Sequence, residues 1–430
     1  MGHLSVDLHA PSNDWRGYLG EIDLAAKVTK ASYGVLIACT LSHFMNHIYT
    51  GALSIFLPII QDEWSLTYTQ VGILASAVIV TMTSAHLVVG YLGDKGWRNI
   101  LISISVLISG LVMLVQSFAT SFVFLLATQV ALGFGVSGFH PSAFPALTAK
   151  FPKRERAKAV GINAAGGLIG MALIPFIGVS LLVIFGAWQQ PLFVLGLMGV
   201  AVFLPVFLLM RYAAHQERID FANGNNNKTP EEEVGWTRNF FVLLGYIGLR
   251  GIPFRCTTLL MPVYLVYSYG YQPVWAGVLT SIMLTAGLVG EMVAAPVSDR
   301  SGRRVPYMTL SVASGVPLFL FLTGGLDEFT LILVLIAIGF SYFFGVPPGQ
   351  AFETEVSPTE RPGLAFGLLF SIGAMPGALS PIIFGWIGDT FGLSASILFL
   401  AAVSGLGTIL ALLLRDSSAS TTSVGLALRS

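Results

Sequence analysis

Four polar side chains share one face of a single apolar stretch. His43, Asn46, His47 and Thr50 are spaced i, i+3, i+4 and i+7, which stacks them on one side of a helix. Imidazoles and an amide aimed together can bind an anion, relay a proton or hold a metal. A second apolar stretch carries two arginines in Gly248-Leu-Arg-Gly-Ile-Pro-Phe-Arg255. A guanidinium keeps its charge and recognises carboxylate or phosphate with two parallel hydrogen bonds. Glu291 is the one acid read as lying well inside an apolar run, and His86 lies inside another. His140, next to Pro141, reads as a helix-packing residue. His43 and His47 have the spacing of two metal ligands, but the sequence supplies no evident third and fourth, so no metal is expected. No nucleophile–base set suggests catalysis. The G-x-x-x-x-G-K-[ST] loop is absent, which leaves direct ATP coupling unsupported. No catalytic residue and no cofactor are expected.

The elements that must position these groups follow from composition. The chain has 430 residues, 54% of them hydrophobic and only 10% charged, where a soluble domain carries about 25% charged residues. Mean hydropathy is +0.78. Such a chain folded in water would expose apolar patches far beyond the few hundred Å² that soluble monomers tolerate. It reads as an integral membrane protein. Its 22 basic residues equal its 22 acidic ones, against the basic surplus of a nucleic-acid binder. Cys39 and Cys256 lie in apolar runs and give no disulfide framework. The polar stretch from Met1 to Lys30 does not read as a secretory leader.

Stretches near 20 residues cross a hydrocarbon core of about 30 Å as helices. Twelve are expected, near 34–60, 69–92, 100–118, 121–149, 159–185, 190–211, 239–267, 274–297, 305–323, 329–351, 363–387 and 393–414. If the N-terminus is cytoplasmic, the inside segments hold 20 of the 22 basic residues, and the remaining two are Arg250 and Arg255 within a span. The outside loops then carry only acids: Asp62, Glu63, Asp327, Glu328 and Asp389. That is the positive-inside pattern, with both termini cytoplasmic.

Sliding the chain on itself by 204 to 206 residues brings Pro58 onto Pro262, Gly72 onto Gly277, Asp94 onto Asp299 and Arg98 onto Arg303. Pro141, Gly161 and Pro175 fall likewise on Pro347, Gly367 and Pro381. Two copies of one six-helix unit imply a pseudo-twofold axis along the membrane normal, with a site between the halves at the midplane. The expected divisions are a segment 1–33, bundles 34–211 and 239–414, a linker 212–238 and a tail 415–430. The same register sets Arg250 on Asn46 and Glu291 on His86.

The loop Gly90-Tyr-Leu-Gly-Asp94-Lys-Gly-Trp-Arg98 resembles the major facilitator signature G-x-x-x-D-R-x-G-R. It is echoed by Asp299-Arg-Ser-Gly-Arg303 where that family repeats it. Ser42-His43…Asn46, Leu57-Pro58, Thr69-Gln70-x-Gly72 and Phe139-His140-Pro141 make the first half most similar to fosmidomycin-resistance-type exporters. The chain departs from the family's proton-coupled members at Gln129, where an arginine is frequent, and from its drug antiporters in separating Gly170 from Pro175. The resemblance implies an all-α membrane protein of twelve transmembrane helices in two pseudo-symmetric bundles, and a secondary transporter rather than an enzyme.

Under that reading His43, Asn46, His47, Arg250 and Arg255 line the substrate cavity. An ionisable group in a span costs roughly 2.5–3.5 kcal/mol on insertion scales, which favours a functional role over mere packing. Arg250 is expected to face the cavity more than Arg255, which stands about 140° round the helix. The plain alternative is an ion pair of Arg250 with Glu291. Burial and a nearby arginine pull the charge of Glu291 in opposite senses, so Glu291 and its mirror His86 are the expected proton carriers. Asp94, Arg98, Asp299 and Arg303 are expected to latch the halves at the cytoplasmic mouth. The function expected is proton-linked export of a small anionic or amphiphilic compound. Import of an organic anion is the alternative, and a non-transporting receptor or assembly factor is a third. The expected setting is a bilayer, the cell's inner membrane, with a monomeric chain.

Overall fold

The computed structural model describes residues 28–151, 153–222, 235–358, 365 and 367–416. Most of the segment 1–33, the middle of the linker and most of the tail therefore lie outside the described residues. What is described is helical. The helices are α1 (Lys30–Ala52), α2 (Leu57–Trp64), α3 (Tyr68–Leu92), α4 (Arg98–Gln116), α5 (Phe122–Ser137), α6 (His140–Lys150), α7 (Lys153–Phe185) and α8 (Gln189–Ala222). Then come α9 (Arg238–Tyr269), α10 (Pro273–Ser301), α11 (Val305–Ala313), α12 (Gly315–Leu322), α13 (Glu328–Phe344), α14 (Val346–Val356), α15 (Met375–Phe391) and α16 (Leu393–Leu412).

Among the described residues, ten helical stretches are long and apolar enough to cross a membrane. One of them, Tyr68–Gln116, holds two crossings that meet at Gly96, whose φ of 91° is open to glycine and strained for other residues. The stretch from α1 to α2 is a further crossing, interrupted by a 3₁₀ turn at Leu53–Ile55 ahead of Pro58. Twelve crossings result. The starts are set by local chemistry: Thr29 with Ser32 and Thr67 with Gln70 form capping boxes, and Asp327 caps α13 through the Thr330 N–H.

The repeat is visible as matching packing. In the first half α1 lies on α7, α3 on α5 and α4 on α8; in the second α9 lies on α15, α10 on α13, and α11 and α12 on α16. Both halves break one crossing at the same repeat position, after Ser137 and after Phe344, each just ahead of a proline pair element, Pro141 or Pro347. The halves meet along α3 against α15 and α7 against α10. There the backbones approach closely. A Cβ on Gly72 would stand 2.1 Å from the Pro381 carbonyl oxygen, and one on Gly385 2.2 Å from that of Tyr68. Small residues at such crossings are how membrane helices gain packing, since lipid offers no hydrophobic drive between them. The largest apolar core, with Phe56, Leu74, Leu279 and Phe384, continues across this boundary. Large apolar side chains such as Val123, Phe134, Ile184 and Leu412 point outward and exposed, as a lipid-facing surface requires.

Candidate functional site

The centre of the first half gathers histidines from three helices. His43 and His47 are on α1, His86 is on α3, and His140 opens α6 just after the break that Pro141 enforces. Ring centroids are 4.9 Å apart for His43 and His47, 5.3 Å for His43 and His140, 6.2 Å for His47 and His140, and 6.1 Å for His86 and His140. His43 Nδ1 lies 2.8 Å from the Asn163 carbonyl oxygen of α7. A carbonyl only accepts, so Nδ1 carries the proton and a neutral ring keeps the Nε2 lone pair free. Gly167 makes room for this ring, because a Cβ there would come within 2.6 Å of it. His140, read from the sequence as a packing residue, stands in this cluster, and the ligand nitrogens of His43, His47 and His140 all lie within 4.8 Å of one another.

Asn46 has its own partner. Its Nδ2 donates to the Val136 carbonyl of α5 at 2.9 Å, buried inside the first bundle. The i+3 spacing put it on the histidine face; a buried amide needs partners, and α5 offers one. Thr50 turns its hydroxyl back onto the Asn46 carbonyl and borders a small void of about 10 Å³ that Leu259 of the opposite half closes.

The two arginines have different surroundings. Arg250 Nη2 donates to the Tyr342 carbonyl of α13 at 3.0 Å, which ties it within the second half. Arg255 instead acts electrostatically on His47, His86 and His140 across the boundary. Phe254 stands between, its ring centroid 5.4 Å from the Arg250 guanidinium and 5.8 Å from that of Arg255, within cation–π range.

Glu291 is buried, and its Oε2 has no hydrogen-bond partner. It feels the Arg250 charge, yet no direct ion pair links them among the described residues, and Arg250 Nε is itself unpartnered. Glu353 of α14 feels the same charge. It was missed by reading the tenth span as ending near residue 351; the helix runs on to Val356. His86 is buried and lies against Phe370 of the second half, ring centroids 6.4 Å apart, with the Phe370 backbone within its reach.

At the end rich in basic residues, Asp94 pairs with Arg98 at 2.9 Å. Asp299 pairs with Arg304 at 2.8 Å, and Arg304 reaches Glu355 at 3.2 Å. Arg303, the residue that the repeat singles out, forms no such pair among the described residues. α10 runs on to Ser301 and turns at Gly302 with φ of 64°, so Arg304 and not Arg303 comes onto the acid. These pairs lie within one half each.

The halves are instead tied at the acidic end. Asp389 of α15 accepts the Tyr68 and Thr69 N–H groups of α3, each at 2.8 Å, a carboxylate on a helix N-terminus. The Tyr267 hydroxyl of α9 donates to Asp62. The other acids there also serve structure, with Glu63 accepting from Trp188 and Glu328 from Trp275, both at 2.8 Å. The sequence showed these acids only as the sign of a loop.

Two six-helix units meeting around buried ionisable groups define a membrane transport protein. Residues 39–381 and 243–428 match the model of the Major Facilitator Superfamily, and the chain belongs to it. The protein is a multi-pass membrane transporter and not an enzyme. It is 26% identical over 385 residues to the "Probable sulfoacetate transporter SauU" of Cupriavidus necator, covering 84% of this chain and 89% of that one. It is 28% identical over 378 residues to the "Fosmidomycin resistance protein" of Escherichia coli, covering 85% and 89%. In fold it resembles the crystal structure of a bacterial homolog to the human lysosomal transporter Spinster, with TM-score 0.70 at 16% identity, over 90% of this chain and 97% of that one.

Proposed function

We propose that this transporter exports a small anionic or amphiphilic compound by proton-linked alternating access. The observation that carries the reading is the charge of Arg255, on the second half, bearing on His47, His86 and His140 of the first. An uncompensated guanidinium in a membrane interior is costly, and an anion entering between the halves would compensate it. The bundles 34–211 and 239–414 would rock about α3–α15 and α7–α10, in the cell's inner membrane with both termini cytoplasmic and the chain a monomer. Asp94–Arg98 and Asp299–Arg304 would brace the cytoplasmic mouth, with Arg303 beside them. Glu291, buried with its Oε2 unpartnered among the described residues, would carry the proton, with His86 as its counterpart.

Uptake of an organic anion is the second reading, favoured by the likeness to a sulfoacetate transporter over most of the chain. Flux into and out of vesicles under an imposed proton gradient tests both. Sulfonates, carboxylates and amphiphilic toxic compounds are the substrates to offer. Gradient-driven movement of an anion supports the proposal, and its direction chooses between the readings. No movement of any of them would leave the non-transporting scaffold.

A further inference from the structure

His43, His47 and His140 present ligand nitrogens that all lie within 4.8 Å of one another. Three separate features of their surroundings point to one kind of ligand. The first is the donor set, two imidazoles one helical turn apart on α1 and a third brought over them by the break before α6. The second is the outer partner of His43. Its Nδ1–H is held by the Asn163 carbonyl at 2.8 Å, the arrangement that fixes the tautomer and aim of metal-ligating histidines. The third is His86, 6% exposed and edge-on to His140 with ring centroids 6.1 Å apart, a fourth imidazole beside the three.

We propose that His43, His47 and His140 form a site for a divalent transition metal of the zinc class, with the fourth position open toward His86 and Arg255. Three neutral imidazoles suit such an ion, and three protein ligands with one open place is the pattern of zinc sites that exchange a ligand. At bond lengths of about 2.0–2.1 Å, tetrahedral nitrogens stand about 3.4 Å apart. The rings must therefore draw in by about an ångström, which side-chain rotation on α1 and at the start of α6 supplies. Gly167 leaves His43 without a wall of side chain behind it. The nearby Arg255 charge disfavours a second cation at the open place and selects water or an anionic group. The site does not depend on which compound is carried or in which direction.

The full chain, purified in lipid nanodiscs and stripped with a chelator, is titrated with Co²⁺ alone and then with Zn²⁺ as competitor. One Co²⁺ per chain with the intense visible bands of tetrahedral coordination, displaced by Zn²⁺, is the expected result. His43→Ala, His47→Ala and His140→Ala should each weaken binding at least ~10-fold, the scale on which even outer partners act. His215→Ala, at an exposed position on α8, should leave it unchanged. Absence of stoichiometric binding by the unaltered protein overturns the proposal without reliance on any variant. Binding that survives all three substitutions also overturns it.

Discussion

The Asp389 carboxylate of α15 accepts the backbone N–H of Thr69 of α3 at 2.8 Å, joining the two halves of the chain at the first turn of a helix. Hydrogen bonds to a charged group contribute about 1.5–3 kcal/mol. Asp389→Ala should therefore shift the balance toward a form open at the acidic end by about ten- to a hundredfold. Spin labels on Phe118→Cys and Phe329→Cys, exposed near that end in opposite halves, report it as a longer distance. An unchanged distance distribution would show that the latch contributes nothing to closure.

Gly72 gives a steric counterpart. Its missing Cβ would meet the Pro381 carbonyl at 2.1 Å, and backbone cannot swing aside as a side-chain tip can. Gly72→Ala should disfavour this packing by about 1–3 kcal/mol, the usual cost of overpacking. Transport should fall while insertion and yield stay near normal. Normal flux would mean that α3 and α15 separate at little cost.

Glu291 tests the coupling. Glu291→Gln keeps the shape and removes the exchangeable charge. It should abolish gradient-driven accumulation yet preserve substrate exchange at equal pH on both sides. A variant that still concentrates substrate would leave Glu291 a counter-charge for Arg250, and His86→Gln would be the next measurement.

The two arginines should respond differently. Arg255→Lys keeps the charge but loses the planar fork, and should weaken apparent affinity by about 1–3 kcal/mol. Arg250 holds the Tyr342 carbonyl and acts on Glu291 and Glu353. Arg250→Ala should lower stability and yield, and Glu291→Gln in the same chain should recover part of that loss. Equal affinity in Arg255→Lys and the unaltered protein would exclude a substrate role for Arg255.

The basic-end pairs should act on gating and not on affinity. Asp94→Ala frees Arg98, and Asp299→Ala leaves Arg304 with Glu355 alone among its acids. Transport should slow, and thiol accessibility at the mouth should rise. Identical flux and accessibility in both variants would leave these loops a topological signal only.

The crossings, the repeat and the family signature were legible in the sequence because each is written in residue type at fixed spacing. Apolar length sets a crossing, the surplus of Lys and Arg on alternate loops sets direction, and Asp94 and Asp299 recur one register apart. His43 and His47 were legible for the same reason. What the sequence did not show depends on which neighbour each side chain meets. The α5–α6 break swings His140 over α1, and a carbonyl on α5 takes the Asn46 amide. The packed second half gives Arg250 the Tyr342 carbonyl, while the charge of Arg255 bears on His47, His86 and His140 of the first. One turn at Gly302 hands the Asp299 pair to Arg304. Helical period fixes where a side chain starts, but partners 90 to 320 residues distant, as Val136 is from Asn46 and Asp389 from Thr69, fix where it ends. Those partners exist only once the helices have packed.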